Sequence, residues 1–318
     1  MADDPLALGD HLQAATARLI GRAVDASDRF GIAVSGGPDS MALLALAAHQ
    51  WPGQVAAATV DHGLRPQARA EAEMVAHWCA VHEIAHVTLR PGNPIGGNLQ
   101  AEGRRVRYAL LEDWRVAQGL DWLLTAHQAD DQIETVLMRL NRGAGVSGLA
   151  AIRSRRGVLL RPLLAVRRVD LRAWCKAQDV PFIDDPSNVD PRFDRARLRQ
   201  RIGALDLVDP AHLNRSVEAL SEADAALDWM TERLAAEHVR ADEDGVVLTR
   251  TDLPSALLRR LLQLMIRTVH AQAEAPRGPA MDQALVQLFD GRTVALADCI
   301  VTGGARWSVR RAPPRRAG

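Results

Sequence analysis

The chain has 318 residues, 47% hydrophobic and 25% charged, an ordinary globular composition with length enough for two domains. Its formal net charge is zero, so the total gives no sign of a nucleic-acid partner. The longest unbroken apolar run, 41–48, is too short to span a bilayer, and the opening MADDPLALGD carries acid where a signal peptide needs base. These features predict a soluble cytoplasmic protein without a membrane partner. Cys79, Cys175 and Cys299 lie far apart and form no CxxC, which argues against a zinc knuckle, an iron–sulfur site or a disulfide framework.

In chain order, GIAVS (31–35) predicts a strand leading to a helix over about 39–50. VAAATV (55–60) leads through DHGLRPQ to a helix near 68–82, and AHVTL (85–89) leads through a Gly/Pro/Asn loop to a helix near 98–118. WLLTA (122–126) leads to a helix near 130–142. Strands alternating with helices imply right-handed crossovers and an α/β, doubly wound, mostly parallel sheet. Ligands bind such a sheet beyond the carboxyl ends of its strands, so Ser35, Asp61 and His127, each just after a strand, should share one crevice.

A further strand, a helix and a Pro/Asp loop follow over GVLLRPLLAVRRVDLRAWCKAQDVPFIDDPSN, and then a basic helix, 192–201. From Leu213 the positions Leu213, Val217, Leu220, Leu227 and Leu234 keep helical spacing, which predicts one long amphipathic helix with its acids facing outward. GVVLT (245–249) and the segment after Thr293 look like β-hairpin material, with Gly303-Gly304 as a turn. The expected division is one domain over 1–208 and a smaller, mainly helical one over 209–318 that ends in the hairpin-like segment.

The neutral total hides an uneven distribution. Residues 151–201 hold twelve arginines and Lys176 against six aspartates, whereas 218–252 hold ten acids against three arginines. The basic segment, and the five arginines of 303–318, are candidates for phosphate contact.

The sharpest signal is SGGPDS, Ser35 to Ser40, between the first strand and its helix. Gly36 and Gly37 allow a tight turn, and successive N–H groups at a helix start favour an anion. Ser35 and Ser40 add hydroxyls, and Pro38 belongs to the same candidate nucleotide-binding loop. Asp39 makes sense there either as a Mg²⁺ ligand or as a helix cap. A Walker A loop needs a lysine, and Lys176 is the only lysine in the chain. A loop without that lysine suits attack at an α-phosphate with pyrophosphate as the cradled leaving group.

SGGPDS resembles the pyrophosphate loop of the N-type ATP pyrophosphatases, which transfer AMP to a carbonyl oxygen before a nucleophile displaces it. Four more stretches, VDHGLR (60–65), AEGRRVRY (101–108), TAHQADDQIETVLMRLNRGAGVSGL (125–149) and RPLL…DDPSN (161–188), resemble the tRNA(Ile)-lysidine synthetase family. The resemblance implies an ATP-dependent carbon–nitrogen ligase with an adenine nucleotide α-hydrolase-like fold. Such enzymes join L-lysine to C2 of the wobble cytidine of CAU-anticodon tRNA(Ile), through an adenylated cytidine, releasing AMP and pyrophosphate. ATP and Mg²⁺ are the implied cofactors, tRNA(Ile) and L-lysine the implied partners, and a homodimer is one assembly it allows.

Asp131 and Glu134, at i and i+3, share a helix face and can hold an ammonium group or Mg²⁺; the resemblance assigns them to lysine. Asp130 is a helix-cap candidate. Arg104 and Arg107 share a face at the start of their helix and can neutralise phosphate charge, with a surface ion pair as the alternative. Asp61 and His127 join the nucleotide set, while His62 is as readily structural. Arg195, Arg197 and Arg199 are the tRNA candidates; Ala196 stands where the family reads Asn. A tRNA thiolation enzyme would want paired cysteines or a cluster. A non-catalytic tRNA- or nucleotide-binding protein would have little need for Asp39, Asp131 and Glu134 together.

Overall fold

A computed structural model describes residues 5–63, 67–92, 99–184, 197–198, 208–273, 276 and 278–313. The chain divides into two compact units, one of residues 1–138 and 151–218, the other of 139–150 and 219–318.

The first unit is built on a six-stranded sheet in the order β3-β2-β1-β4-β6-β5. Its strands are β1 (Phe30–Ala33), β2 (Val55–Val60), β3 (Ala85–Leu89), β4 (Trp122–Thr125), β5 (Arg155–Arg156) and β6 (Leu159–Leu160). All neighbours pair in parallel except β5 with β6. Its helices are α1 (Pro5–Ile20), α2 (Pro38–Gln50), α3 (Gln67–Val81), α4 (Leu99–Ala117), α5 (Ala129–Leu140), whose last two residues fall in the second unit, and α7 (Arg168–Ala177), while α6 (Val146–Leu149) belongs to the second unit. The doubly wound parallel sheet is therefore present, and β2 and β3 fall where alternation and β-branching place them.

Side-chain chemistry explains the layering. Helix α2 is apolar all round, and Ser40 through Ala47 are all buried. Such a helix must be covered on every side, and α1, α7 and the sheet cover it. Its core joins Leu12, Phe30, Ile32, Trp78, Leu163 and Trp174. A second cluster, with Ala58, Leu111, Trp114, Leu120, Leu123 and Leu159, forms where α4 packs. Gly31 permits that packing, because a Cβ there would sit 2.7 Å from the Trp114 ring. The chain order reverses between β1 and β4, so the ends of these two strands open the crevice where α/β sheets bind ligands.

The second unit is richer in strand than the sequence led us to expect. A five-stranded antiparallel sheet, β7-β8-β11-β10-β9, replaces the anticipated hairpin. Its strands are β7 (Val239–Asp242), β8 (Gly245–Leu248), β9 (Thr293–Leu296), β10 (Cys299–Thr302) and β11 (Trp307–Arg311). The turn Gly303-Gly304 does link β10 and β11, and Ala297-Asp298, both at positive φ, link β9 and β10. Trp307, Leu248 and Val301 pack against α9 (Ser255–Val269) and α10 (Pro279–Phe289).

The long helix is α8 (Pro210–His238). Its stripe is more regular than the leucines alone show. Asp224 and Thr231 fill the two gaps in the series 213, 217, 220, 224, 227, 231, 234, and both are buried. The acids of this helix are thus not all on its outer face. Asp224 accepts from Ser147 Oγ and from Arg260 Nη2, each at 2.5 Å, and Arg260 also pairs with Asp228.

Candidate active site

The loop between β1 and α2 turns at Gly36, whose φ of +84° a side chain would strain. Gly37 is the N-cap of α2 in extended backbone, and Pro38 opens the helix. Ser40 faces inward: its Oγ donates to the Gly37 carbonyl at 3.0 Å and accepts the Ser35 N–H at 3.1 Å. Ser40 therefore braces the loop, and Ser35 Oγ lies 3.2 Å from it. The start of α2 faces the crevice with its backbone donors, the arrangement that binds anions.

Asp39 is not a cap, since α2 has no side-chain cap bond. Its Oδ1 is buried without a hydrogen-bond partner. Burial pushes this carboxyl up to about 6; Arg168 opposes the shift and Asp131 adds to it. An underused oxygen beside a phosphate loop suits a hard cation that takes the rest of its ligands from phosphate and water. Among the described residues no group of three or more His, Cys, Asp or Glu forms a metal cage, so a cation held here would draw most of its ligands from phosphate and water.

Helix α5 supplies the paired acids. Gln128 and Asp131 close its start reciprocally. The Asp130 N–H bonds Gln128 Oε1 at 2.5 Å, and the Gln128 N–H reaches Asp131 Oδ2 at 3.3 Å. Asp131 thus shares the capping duty first given to Asp130. Asp130 instead accepts the backbone N–H of Arg168 at 2.8 Å and so caps α7 from a distant part of the chain. Glu134 is buried on the face it shares with Asp131.

Arg168 gathers these acids. Its Nη2 lies 3.2 Å from Asp131 and 3.8 Å from Glu134, and its Nε lies 3.6 Å from Asp39. The loop carboxylate and the α5 pair therefore meet at one guanidinium. Sequence reasoning missed Arg168. A signal existed, because a cation in the first turn of a helix opposes the macrodipole, and such local violations mark functional sites.

A second cluster lies where α4 passes the strand ends. Arg104 and Arg107 stand over the Tyr108 ring, at 5.0 and 5.3 Å from its centre. Arg161, buried and one residue past β6, bonds the Arg153 carbonyl and reaches Tyr108. Burial alone would raise the Tyr108 phenol, but Arg104, Arg107 and Arg161 together outweigh it and lower it. Burial holds Arg107 and Arg161 below the usual guanidinium range. Among the described residues neither Arg104 nor Arg107 has a carboxylate partner; the ion pairs on this helix are Arg105 with Glu102 and Arg115 with Glu112. Tyr108 and Arg161 were quoted in motifs and given no role.

Asp61 is buried at the end of β2, where it accepts the Gly63 N–H at 2.9 Å and Arg90 Nε at 3.3 Å. His62 is held below its ordinary value by burial and by Arg107, and so is neutral near pH 7. His127 Nδ1 bonds Thr125 Oγ1 at 2.9 Å. Of the tRNA candidates Arg197 is exposed, while Arg195 and Arg199 lie outside the described residues. Of the DDPSN element, Asp184 pairs with Arg172, and 185–188 lie outside. Several cations of the 151–201 segment are used within the fold. Arg155 donates to the Leu19 carbonyl at 2.7 Å, and Arg161, Arg168 and Arg172 are engaged as above.

Fold and loop define the class, an ATP-using PP-loop enzyme, and the PP-loop domain family matches residues 9–205. The chain is 41% identical to tRNA(Ile)-lysidine synthase of Novosphingobium aromaticivorans over 97% of both chains. It is 39% identical to that of Zymomonas mobilis, over 91% of this chain and 90% of the other. The protein belongs to the tRNA(Ile)-lysidine synthase family. Among solved structures, the U34-tRNA thiolase NcsA from Methanococcus maripaludis shares the fold at a TM-score of 0.53 and 16% identity, over 67% of this chain and 79% of that one.

Proposed function

We propose that the protein ligates L-lysine to C2 of the wobble cytidine of CAU-anticodon tRNA(Ile), using ATP and releasing AMP and pyrophosphate. The observation that carries the reading is the meeting of Asp39, Asp131 and Glu134 at the mouth of the phosphate loop. The cytidine C2 carbonyl oxygen attacks the α-phosphorus of ATP, and the lysine ε-amine then displaces AMP from the adenylated base.

Within this reading the residues act by position and charge, with no covalent bond to the protein. The Ser35–Ser40 backbone receives the departing pyrophosphate. Arg104 and Arg107, which have no carboxylate partner among the described residues, neutralise charge that develops at phosphate. Asp61 and His127 line the nucleotide side. Asp131 and Glu134 hold the amino-acid ammonium. Asp39 would hold Mg²⁺, which supplies charge neutralisation at the phosphates when bound. Arg195, Arg197 and Arg199 contact tRNA phosphates, which fix register while the crevice reads the base.

The thiolation alternative is not favoured. All three cysteines are buried, and burial pushes Cys79 up to about 11 and Cys175 up to about 12, so neither is a thiolate near neutral pH. The test is Glu134→Gln. The variant should keep tRNA-dependent pyrophosphate release and need at least tenfold more lysine for ligation. Unchanged lysine dependence with ATP binding lost would move the acid pair to the metal.

A further inference from the structure

Three carboxylates face one guanidinium in this site, and the guanidinium is barely used. Arginine presents a five-donor fork. Among the described residues the Arg168 side chain makes one hydrogen bond, from Nη2 to Asp131 Oδ1 at 3.2 Å. Its contacts with Asp39 and Glu134, at 3.6 and 3.8 Å, are ion pairs too long to be hydrogen bonds. An arginine serving only as counter-ion to three acids would close a bidentate fork on one of them. Arg172 does so with Asp184, at 2.5 and 2.6 Å. The backbone of Arg168 is fixed meanwhile, its N–H tied to Asp130 at 2.8 Å at the start of α7. The result is an anchored, partly exposed guanidinium with spare donors, directly beside two acids on one helix face.

That pairing of opposite charges matches one chemical group, the α-ammonium and α-carboxylate head of a free amino acid. We propose that Arg168 binds the α-carboxylate of the amino-acid substrate while Asp131 and Glu134 bind its α-ammonium. The inference rests on the reading that lysine is the substrate, and it adds how the free amino acid is told from amines without a carboxylate. The head group is held at both charges, and only the side-chain amine is left free to attack.

The experiment compares L-lysine, L-lysinamide and 1,5-diaminopentane as the amine in ligation to tRNA, with wild type, Arg168→Gln and Arg168→Lys. In wild type, kcat/KM should favour lysine over lysinamide by on the order of 10–100-fold, the value of a charge-assisted bidentate contact. Arg168→Gln should bring the ratio close to one, and Arg168→Lys should leave an intermediate ratio. The ratio is taken within each variant, so a general loss of activity or fold cancels. Wild type accepting lysinamide as readily as lysine would overturn the proposal without recourse to any variant. So would an undiminished ratio in Arg168→Gln, which would make Arg168 an internal counter-ion. Failure of wild type to use any of the three amines would instead strike the lysine reading itself.

Discussion

Asp39 is held in a state that costs stability. A carboxyl raised to about 6 binds its proton more tightly in the folded chain than in the unfolded one. Its contribution to stability is therefore full below the ordinary carboxylate value, near 4, and is lost as pH rises through about 6. At pH 7.5 the charged group remains in place at a cost, the usual sign of a residue kept for function. Asp39→Asn should raise the stability of the ligand-free protein by up to about 3 kcal/mol at pH 7.5 and by little at pH 4. Pyrophosphate release should fall by about 10²–10³. Paired denaturation curves and release rates measure both. Lower stability with normal release would show that Asp39 serves the fold.

The same scale shows what a sequence can reveal of a site. The loop and the α5 acids were legible because each lies within a few residues of its neighbours, so strand, turn and helix signals fix their geometry together. Arg168 was not, because its carboxylate partner lies 37 residues away and only folding brings them together. Tyr108 was only half legible: Arg104 and Arg107 flank it in the motif, but its burial and its third cation, Arg161 at another strand end, come from the fold.

At the level of elements, boundaries set by local chemistry came through. The strands at 55–60 and 85–89 and the helices after them are where alternation, β-branching and apolar spacing put them. Helix α1 was not among the elements expected, although Leu8, Leu12, Ala15 and Leu19 keep helical spacing and are buried. The second sheet was read only as a hairpin, because β8 pairs with β11 across most of that unit's length and no local pattern records it. In α8 the stripe looked broken at 224 because an aspartate occupies a core position. That aspartate carries an element-scale prediction. Asp224→Ala leaves Ser147 and the largely buried Arg260 bonded to each other, with Asp228 as the remaining carboxylate on Arg260 among the described residues, and removing one partner of a buried pair costs about 3 kcal/mol or more. Thermal unfolding should show the loss, and Asp224→Asn should recover part of it through the retained hydrogen bonds. A loss under about 0.5 kcal/mol would mean that Arg260 is satisfied without Asp224.

For the whole molecule, the sheet's switch point, the phosphate loop and the acid–arginine cluster all belong to the first unit. We propose that the second unit, with the basic residues near 195–199, contributes tRNA contact in place of chemistry. On this proposal those contacts weaken with salt, because phosphate neutralisation releases counterions, and the acid–arginine cluster is the part that selects the amino acid. Both roles converge on one product, so one measurement bears on the account most directly. Unmodified CAU-anticodon tRNA(Ile) is incubated with the protein, ATP and L-lysine, and its nucleosides are resolved by mass spectrometry. The account predicts that the wobble cytidine gains the mass of lysine less water, only when ATP and lysine are both present, with one AMP and one pyrophosphate per modified base. Unmodified cytidine, or a cytidine that gains sulfur in place of lysine, would contradict it.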